Sequence, residues 1–162
     1  MHDSETSMVV PQKFEDFYKA YRPKLARALV LALGDHELGI EAADEAMVRT
    51  YQQWRRVRTY RNPMGWTYRV GVNWGRSRLR SLRREVSGEG AGDSTPSPET
   101  EVGVRQMIEA LPLDQRTVVV LRYYLGFSTE DTAEALGVKQ GTVKSRLSRA
   151  LDRMGGSLGG ER

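Results

Sequence analysis

The chain has 162 residues, a formal net charge of +4 and a pI near 9.5. It contains no cysteine, which excludes disulfides, thiolate zinc sites and cysteine nucleophiles. The two histidines, His2 and His36, lie far apart, no apolar run is long enough for a membrane span, and the N-terminus lacks a signal-peptide core; a cytoplasmic protein without metal, cofactor or membrane insertion is expected.

Periodicity is helical almost throughout, and no segment alternates like a strand. Phe14, Phe17, Tyr18, Tyr21, Leu25 and Leu29 recur at steps of three and four and mark one face of a first helix. Pro23 is expected to kink that helix or to begin its second half, and Gly34 to end it. A second helix is expected over about 37–54, opening near His36, with a connecting loop over 57–62. Asn62 is then the N-cap of a third helix, with Pro63 at its first position, running to about residue 84.

Charge is segregated along this stretch. From residue 54 to 84 there is no Asp or Glu, while Arg stands at 55, 56, 58, 61, 69, 76, 78, 80, 83 and 84. Acidic residues collect instead in 35–45, 85–101 and 130–134. Such segregation points to a nucleic-acid face on one segment and a protein-binding face on another. Trp66, Tyr68 and Trp74 lie among the arginines, which a merely solvated helix would not carry. Trp66 and Trp74 are candidates for stacking on unpaired bases, yet their spacing follows the apolar stripe and favours the core for both.

Residues 87–98, rich in Gly, Ser and Pro, read as a flexible linker. Helices resume near residue 99, stop at Leu111-Pro112, and continue over about 114–125 with Gly126 as terminator. The sharpest local signal follows. Ser128 is set to cap a helix, with Asp131 three residues on as in a capping box. Ala133 is small enough for a close crossing, and Gly137 supplies the turn. Leu136, Val138, Val143 and Leu147 form an apolar seam. What remains for solvent on the following helix is Gln140, Thr142, Lys144, Ser145, Arg146, Ser148 and Arg149, which can reach base edges and phosphates. The small residue, the glycine, the seam and the basic outer face together favour DNA reading over a plain helical hairpin. The end, from Gly155 onward, is expected to fray.

The expected fold is therefore all-α: two small helical domains, 12–84 and 99–154, joined by a flexible linker over 85–98. The C-terminal one is a helix-turn-helix, winged-helix-like DNA-binding domain. Each is small enough to be marginal alone.

The two halves together resemble an extracytoplasmic-function sigma factor of bacterial RNA polymerase, of the sigma-E kind with regions two and four only. The resemblance is strongest in Leu111-Pro112, Arg116, Leu121-Arg122-Tyr123, Gly126-Phe127-Ser128, Ala133-Glu134, Leu136-Gly137 and the run from Gly141-Thr142-Val143-Lys144-Ser145-Arg146 to Ala150, which stand at the family's spacing. It implies a region four that binds the −35 element and the polymerase β flap, with Lys139, Gln140, Thr142, Lys144, Ser145, Arg146 and Arg149 as its DNA-facing residues. Glu45-Ala46-Met47-Val48-Arg49-Thr50-Tyr51 through Trp54 resembles the family's segment that docks on the β′ clamp helices. Glu41, Asp44, Glu45, Val48 and Tyr51 are the implied polymerase contacts, though the carboxylates equally suit the N-terminal half of a helix. Pro63, Trp66, Arg69-Val70 and Asn73 resemble the start of the helix that handles the −10 element. The implied −10 residues are Arg58, Arg61, Asn62, Arg69, Asn73, Arg76 and Arg80, the loop being where the family captures a flipped base. In the family the tether runs towards the active centre, where Glu85, Glu89 and Asp93 would mimic RNA phosphates.

The chain departs from the family at Lys139, where Ser or Thr usually caps the recognition helix, and at Thr132, where a larger aliphatic residue is usual. Glu41 and Asp44 stand where Asp and Gln are frequent. The implied partners are core RNA polymerase and promoter DNA, with an anti-sigma factor as a further candidate. A stand-alone helix-turn-helix regulator would account for residues 128–150 but leaves the arginine-rich segment unexplained. No nucleophile–base constellation supports an enzyme.

Overall fold

The computed structural model describes residues 11–85 and 102–157. His2, Glu89, Asp93 and most of the expected linker lie outside them. The elements are α1 (Phe14–Leu33), α2 (His36–Gln52), a short α3 (Trp54–Val57), α4 (Pro63–Glu85), α5 (Val102–Glu109), α6 (Leu113–Val119), α7 (Thr129–Leu136) and α8 (Gln140–Ser157). Among the described residues there is no strand, so helices alone carry the helix-turn-helix.

Local chemistry sets the boundaries. Glu15 and Asp16 sit in the first turn of α1, where carboxylates oppose the positive end of the helix dipole. Pro23 is absorbed within one continuous helix. Gly34 stops it with φ at 72°, its N–H reaching Val30 O. The Asp35 carboxylate accepts from Leu38 N at 2.8 Å, a cap that contributes about 1 kcal/mol. Asn62 Oδ1 accepts from Gly65 N at 3.0 Å, and Pro63 fills the first helical position, where no N–H is needed.

α1, α2 and α4 pack into a three-helix core around Phe17, Leu25, Leu29, Met47, Tyr68 and Val72. Burying each large side chain contributes roughly 1.5–3 kcal/mol. Inside it the hydroxyls of Thr50 and Thr67 meet at 2.9 Å and reach Ala46 O and Pro63 O. Two hydroxyl protons fill two of these three contacts at a time, and when one hydroxyl donates to the other the pair ties α2 to α4 without an apolar side chain. Tyr68, read from the sequence as lying among DNA-facing arginines, is completely buried, and burial raises its phenol pKa.

The same core takes in Val120, Leu121, Phe127 and Ala135 from the C-terminal lobe. The two lobes are thus packed on one another. α6 does not continue as a plain α-helix to 125. It widens into a π-helical turn, Val120–Tyr124, with Leu125 N bonded to Val120 O at 3.0 Å and Phe127 N to Leu121 O at 2.9 Å. The wider turn delivers Leu121 and Phe127 to the shared core. A separate cluster of Val118, Ala133 and Val143, flanked by Leu136, Val138 and Leu147, holds the helix-turn-helix itself.

Three boundaries differ from expectation. The second helix ends at Gln52, and Trp54–Val57 forms its own turn, anchored by Trp54 Nε1 donating to Gln12 O at 2.9 Å. The open loop is therefore 58–62. α8 runs to Ser157 through Gly155 and Gly156, because extending an established helix costs far less than starting one.

Candidate nucleic-acid interface

The roll of α8 is fixed from below. Ser128 Oγ accepts from Asp131 N at 3.0 Å and starts α7. Gly137 turns the chain with φ at 70°, and Val138 N returns to Ala133 O at 3.0 Å. Val143 then inserts against Val118 and Ala133. With Val143 and Ala150 inward, Gln140, Lys144, Ser145 and Arg149 are exposed, and Thr142 and Arg146 are half-buried. Lys139 is exposed too, and its carbonyl, rather than a capping side chain, receives Thr142 N at 3.0 Å and Val143 N at 3.1 Å. Among the described residues Lys144, Arg146 and Arg149 have no carboxylate partner, so their charge is available to an anion. Gly141 faces open space, leaving the start of α8 free to approach a backbone closely.

The residues expected to act on melted DNA lie along the 58–62 loop and α4. Tyr60 and Trp66 have ring centroids 6.2 Å apart. With Asn62, Gly65 and Arg69 they line a cleft of about 250 Å³ whose far wall is Glu134 and Ala135 of α7. Trp74 packs at the edge of the core, but Trp66 is half-buried beside the loop and outside the apolar cluster. That corrects the expectation of a shared core face. Eight residues at about 100° each leave the two rings about 80° apart around the helix.

Arg61 does not face solvent alone. Its Nη1 donates to Asp131 Oδ1 at 2.6 Å, its Nη2 donates to Glu134 Oε1, and Glu130 stands at 4.0 Å. The hydrogen bond to Asp131, outweighing desolvation, raises the guanidinium pKa. Arg58 Nη1 donates to Gln12 Oε1 at 3.1 Å. Asn73 and Arg69 are exposed on α4, and the Arg69 guanidinium lies over Gly137. Arg76 Nη2 is 3.6 Å from Asp114 Oδ1. Arg76 and Arg80 share a cleft of about 550 Å³ with Arg83, Glu109, Leu113 and Arg116, between the lobes.

Glu41, Asp44, Val48 and Tyr51 are exposed on the outer face of α2, with Glu45 half-buried beside them. Asp44 holds Arg22 Nη2 at 2.7 Å, and Glu45 holds Arg49 Nε at 2.9 Å. Val48 is 51% and Tyr51 65% exposed. Large apolar groups beside carboxylates suit a protein partner.

Sequence reasoning named no role for Gln12, Tyr60 or Arg116. Arg116 bridges the lobes, its Nη1 donating to Ala32 O at 2.9 Å and its Nη2 to Leu111 O at 3.1 Å. Desolvation lowers its pKa. Its place at the family's spacing was the available signal. Among the described residues no group of His, Asp or Glu is arranged to hold a metal, and no helix is long and apolar enough to cross a membrane.

Residues 102–154 match the family model for Sigma-70, region 4. The chain is 33% identical over 148 residues to the RNA polymerase sigma-E factor of Streptomyces avermitilis, covering 88% of this chain and 83% of that protein. It is 30% identical over 151 residues to the ECF RNA polymerase sigma factor SigM of Mycobacterium tuberculosis, covering 90% and 77%. Among solved structures, the sigma factor RpoE of Bartonella quintana, in complex with the anti-sigma factor NepR, matches with a TM-score of 0.82. That match covers 92% of this chain and 98% of the other at 23% identity, a likeness of fold.

Proposed function

The chain belongs to the extracytoplasmic-function sigma factors of bacterial RNA polymerase, and from that premise we propose how its two lobes divide promoter recognition. As a sigma factor it directs core polymerase to promoters. We assign region two to residues 12–84, region four to 99–154 and the tether to 85–98. The exposed face of α8 reads the −35 element through Gln140, Thr142, Lys144, Ser145, Arg146 and Arg149, with Lys139 at its edge. Loop 58–62 and α4 act on the −10 element through Arg58, Arg61, Asn62, Arg69, Asn73, Arg76 and Arg80. Asn62 acts there through its amide nitrogen, its oxygen being held by Gly65 N. The outer face of α2 docks on the β′ clamp helices through Glu41, Asp44, Glu45, Val48 and Tyr51, and region four meets the β flap.

The observation that carries this reading is the set of cations Lys144, Arg146 and Arg149 on α8, which have no carboxylate partner among the described residues. A helix held by Val143 presents cations and amides at fixed positions, as groove reading requires. The protein works by binding rather than by catalysis, without a cofactor and in the cytoplasm. Because the Bartonella neighbour was captured with an anti-sigma factor, an anti-sigma factor is a third candidate partner.

Reconstitution with core polymerase, followed by mapping of transcription starts, tests the reading. Promoter-dependent starts that need both elements are expected. Tight sequence-specific binding without polymerase, and no starts with it, would instead identify a stand-alone regulator. The −10 assignment has its own test in Arg58→Ala with Asn73→Ala. Arg58 is tied to Gln12 and Asn73 is exposed, so neither reports on contact between the lobes. The pair should slow promoter opening, seen by permanganate footprinting, more than it weakens assembly with core. A template melted beforehand over −10 should recover part of the loss.

A further inference from the structure

Arg76, Arg80 and Arg83 follow one another along α4 at steps of four and three, which places them on one face of the helix. α6 contributes Arg116 opposite them, and the four guanidinia line the cleft of about 550 Å³ between the lobes. Carboxylates do not balance them. Glu109, which also lines the cleft, is held by Arg105 Nε at 3.3 Å. Asp114 stands 3.6 Å from Arg76 Nη2, too far for a hydrogen bond. Arg80 and Arg83 have no carboxylate partner among the described residues. Five guanidinia, Arg105 included, thus meet two carboxylates, an excess of three positive charges.

The cations of the cleft oppose one another. Desolvation first, and Arg83 as well, lower the pKa of Arg116. The Nε atoms of Arg76 and Arg116 are buried without a hydrogen-bond partner. Like charges at i,i+4 on a helix repel, and a multivalent anion offsets that repulsion. The rest of the wall is apolar, from Leu33, Leu79, Pro112 and Leu113.

We propose that this cleft binds a nucleoside polyphosphate, with its phosphates on the four arginines and its nucleoside on Leu79, Pro112 and Leu113. The guanidinium fork meets phosphate oxygens in pairs of parallel bonds. The cleft has the volume of a small-molecule site, about 300–1,000 Å³, and three excess charges match a chain of phosphates rather than a single one. Its two walls favour a small ligand over a nucleic-acid strand. A strand laid along α4 would pass over Arg76, Arg80 and Arg83, whereas Arg116 faces them from α6, fixed by Ala32 O and Leu111 O. Occupied, the cleft withholds Arg76 and Arg80 from the melted −10 strand, but the site itself stands whether or not that assignment holds.

Isothermal titration calorimetry on the full-length chain tests the site, with ATP, inorganic triphosphate and adenosine as probes. ATP should bind at one site per chain. Inorganic triphosphate should bind about tenfold more weakly, having no apolar surface to bury, and adenosine should show no binding. Arg83 is exposed, so Arg83→Ala leaves the fold intact, and it should weaken ATP by about tenfold through the loss of a charge-assisted contact. Arg78 lies outside the cleft, about 200° around α4 from both Arg76 and Arg80. Arg78→Ala should bind ATP as the wild type does. ATP should also raise the Tm of the wild type and of Arg78→Ala, and that of Arg83→Ala less at the same concentration. No binding of ATP, or equal losses in the two variants, would overturn the site, the second by reducing it to general attraction to a basic helix. Equal affinity for ATP and inorganic triphosphate would overturn the nucleoside assignment. A short oligothymidine strand that lost affinity with Arg83→Ala, while ATP did not bind, would give the cleft to nucleic acid instead.

Discussion

Thr132 is completely buried, and its Oγ1 has no hydrogen-bond partner. It occupies a position where the family usually has a larger aliphatic side chain, so a hydroxyl has been desolvated without compensation. Thr132→Val replaces that hydroxyl by a methyl group of similar size. It should raise the free energy of unfolding by about 1 kcal/mol, measured by urea denaturation. In the proposed reading of the −35 element, Arg146 is the residue on which specificity turns. Its half-buried position on α8 fixes its direction more tightly than the exposed Lys144 or Arg149. Arg146→Ala should cost about 1–3 kcal/mol on a −35 element that presents a guanine edge. Competition between matched and mismatched promoters for the holoenzyme measures it, and an equal loss on every sequence would make Arg146 a phosphate contact.

At the scale of elements, the crossing of α1 and α2 is the tightest constraint. A Cβ on Gly39 would lie 2.5 Å from Val30 Cα, which is backbone and cannot rotate away. Gly39→Ala should therefore push the helices apart and destabilise the fold by about 1–3 kcal/mol, read as a lower urea midpoint. Many of the elements themselves were legible in the sequence because their ends are local chemistry. Asn62 before Pro63, Ser128 before α7, and the glycines at 34 and 137 each act within a few residues of their own position. The inward and outward faces of α8 followed from the same short-range logic. The π-helical turn was not legible, since Val-Leu-Arg-Tyr-Tyr satisfies an ordinary helical pattern. Only the need to seat Leu121 and Phe127 in a core built by distant helices widens it. Trp66 was misplaced for a related reason, because near-periodic spacing does not amount to a shared face. The clasp on Arg61 was hidden altogether: its carboxylates lie about 70 positions away in sequence, and no local rule links them. The acidic run at 130–134 was visible as composition, but its partner was not.

For the whole molecule, the separation of charge along the chain becomes a competition in space. Under the proposed −10 assignment, the basic loop and α4 answer either to the carboxylates of α7 in the same chain or to DNA, and both interactions are electrostatic. Salt therefore acts on binding in two opposed ways. It weakens strand binding by removing the gain from counterion release, so affinity falls with a slope set by the number of phosphate contacts. It also screens the exposed clasp on Arg61 and raises the fraction of open chains able to bind. The observed affinity is the product of the two terms. For the wild-type chain without polymerase, binding to a template melted over −10 should be weak and should fall only shallowly as salt rises. In the chain carrying Glu130→Gln, Asp131→Asn and Glu134→Gln, the second term depends much less on salt, only the Arg76–Asp114 contact remaining. Its affinity should be higher at low salt and should fall more steeply, converging on wild type as ionic strength increases. Fluorescence anisotropy across a salt series measures both slopes. Parallel lines would mean that the carboxylates of α7 do not compete with DNA for this face. If polymerase holds the lobes apart, the two chains should show the same slope in the holoenzyme.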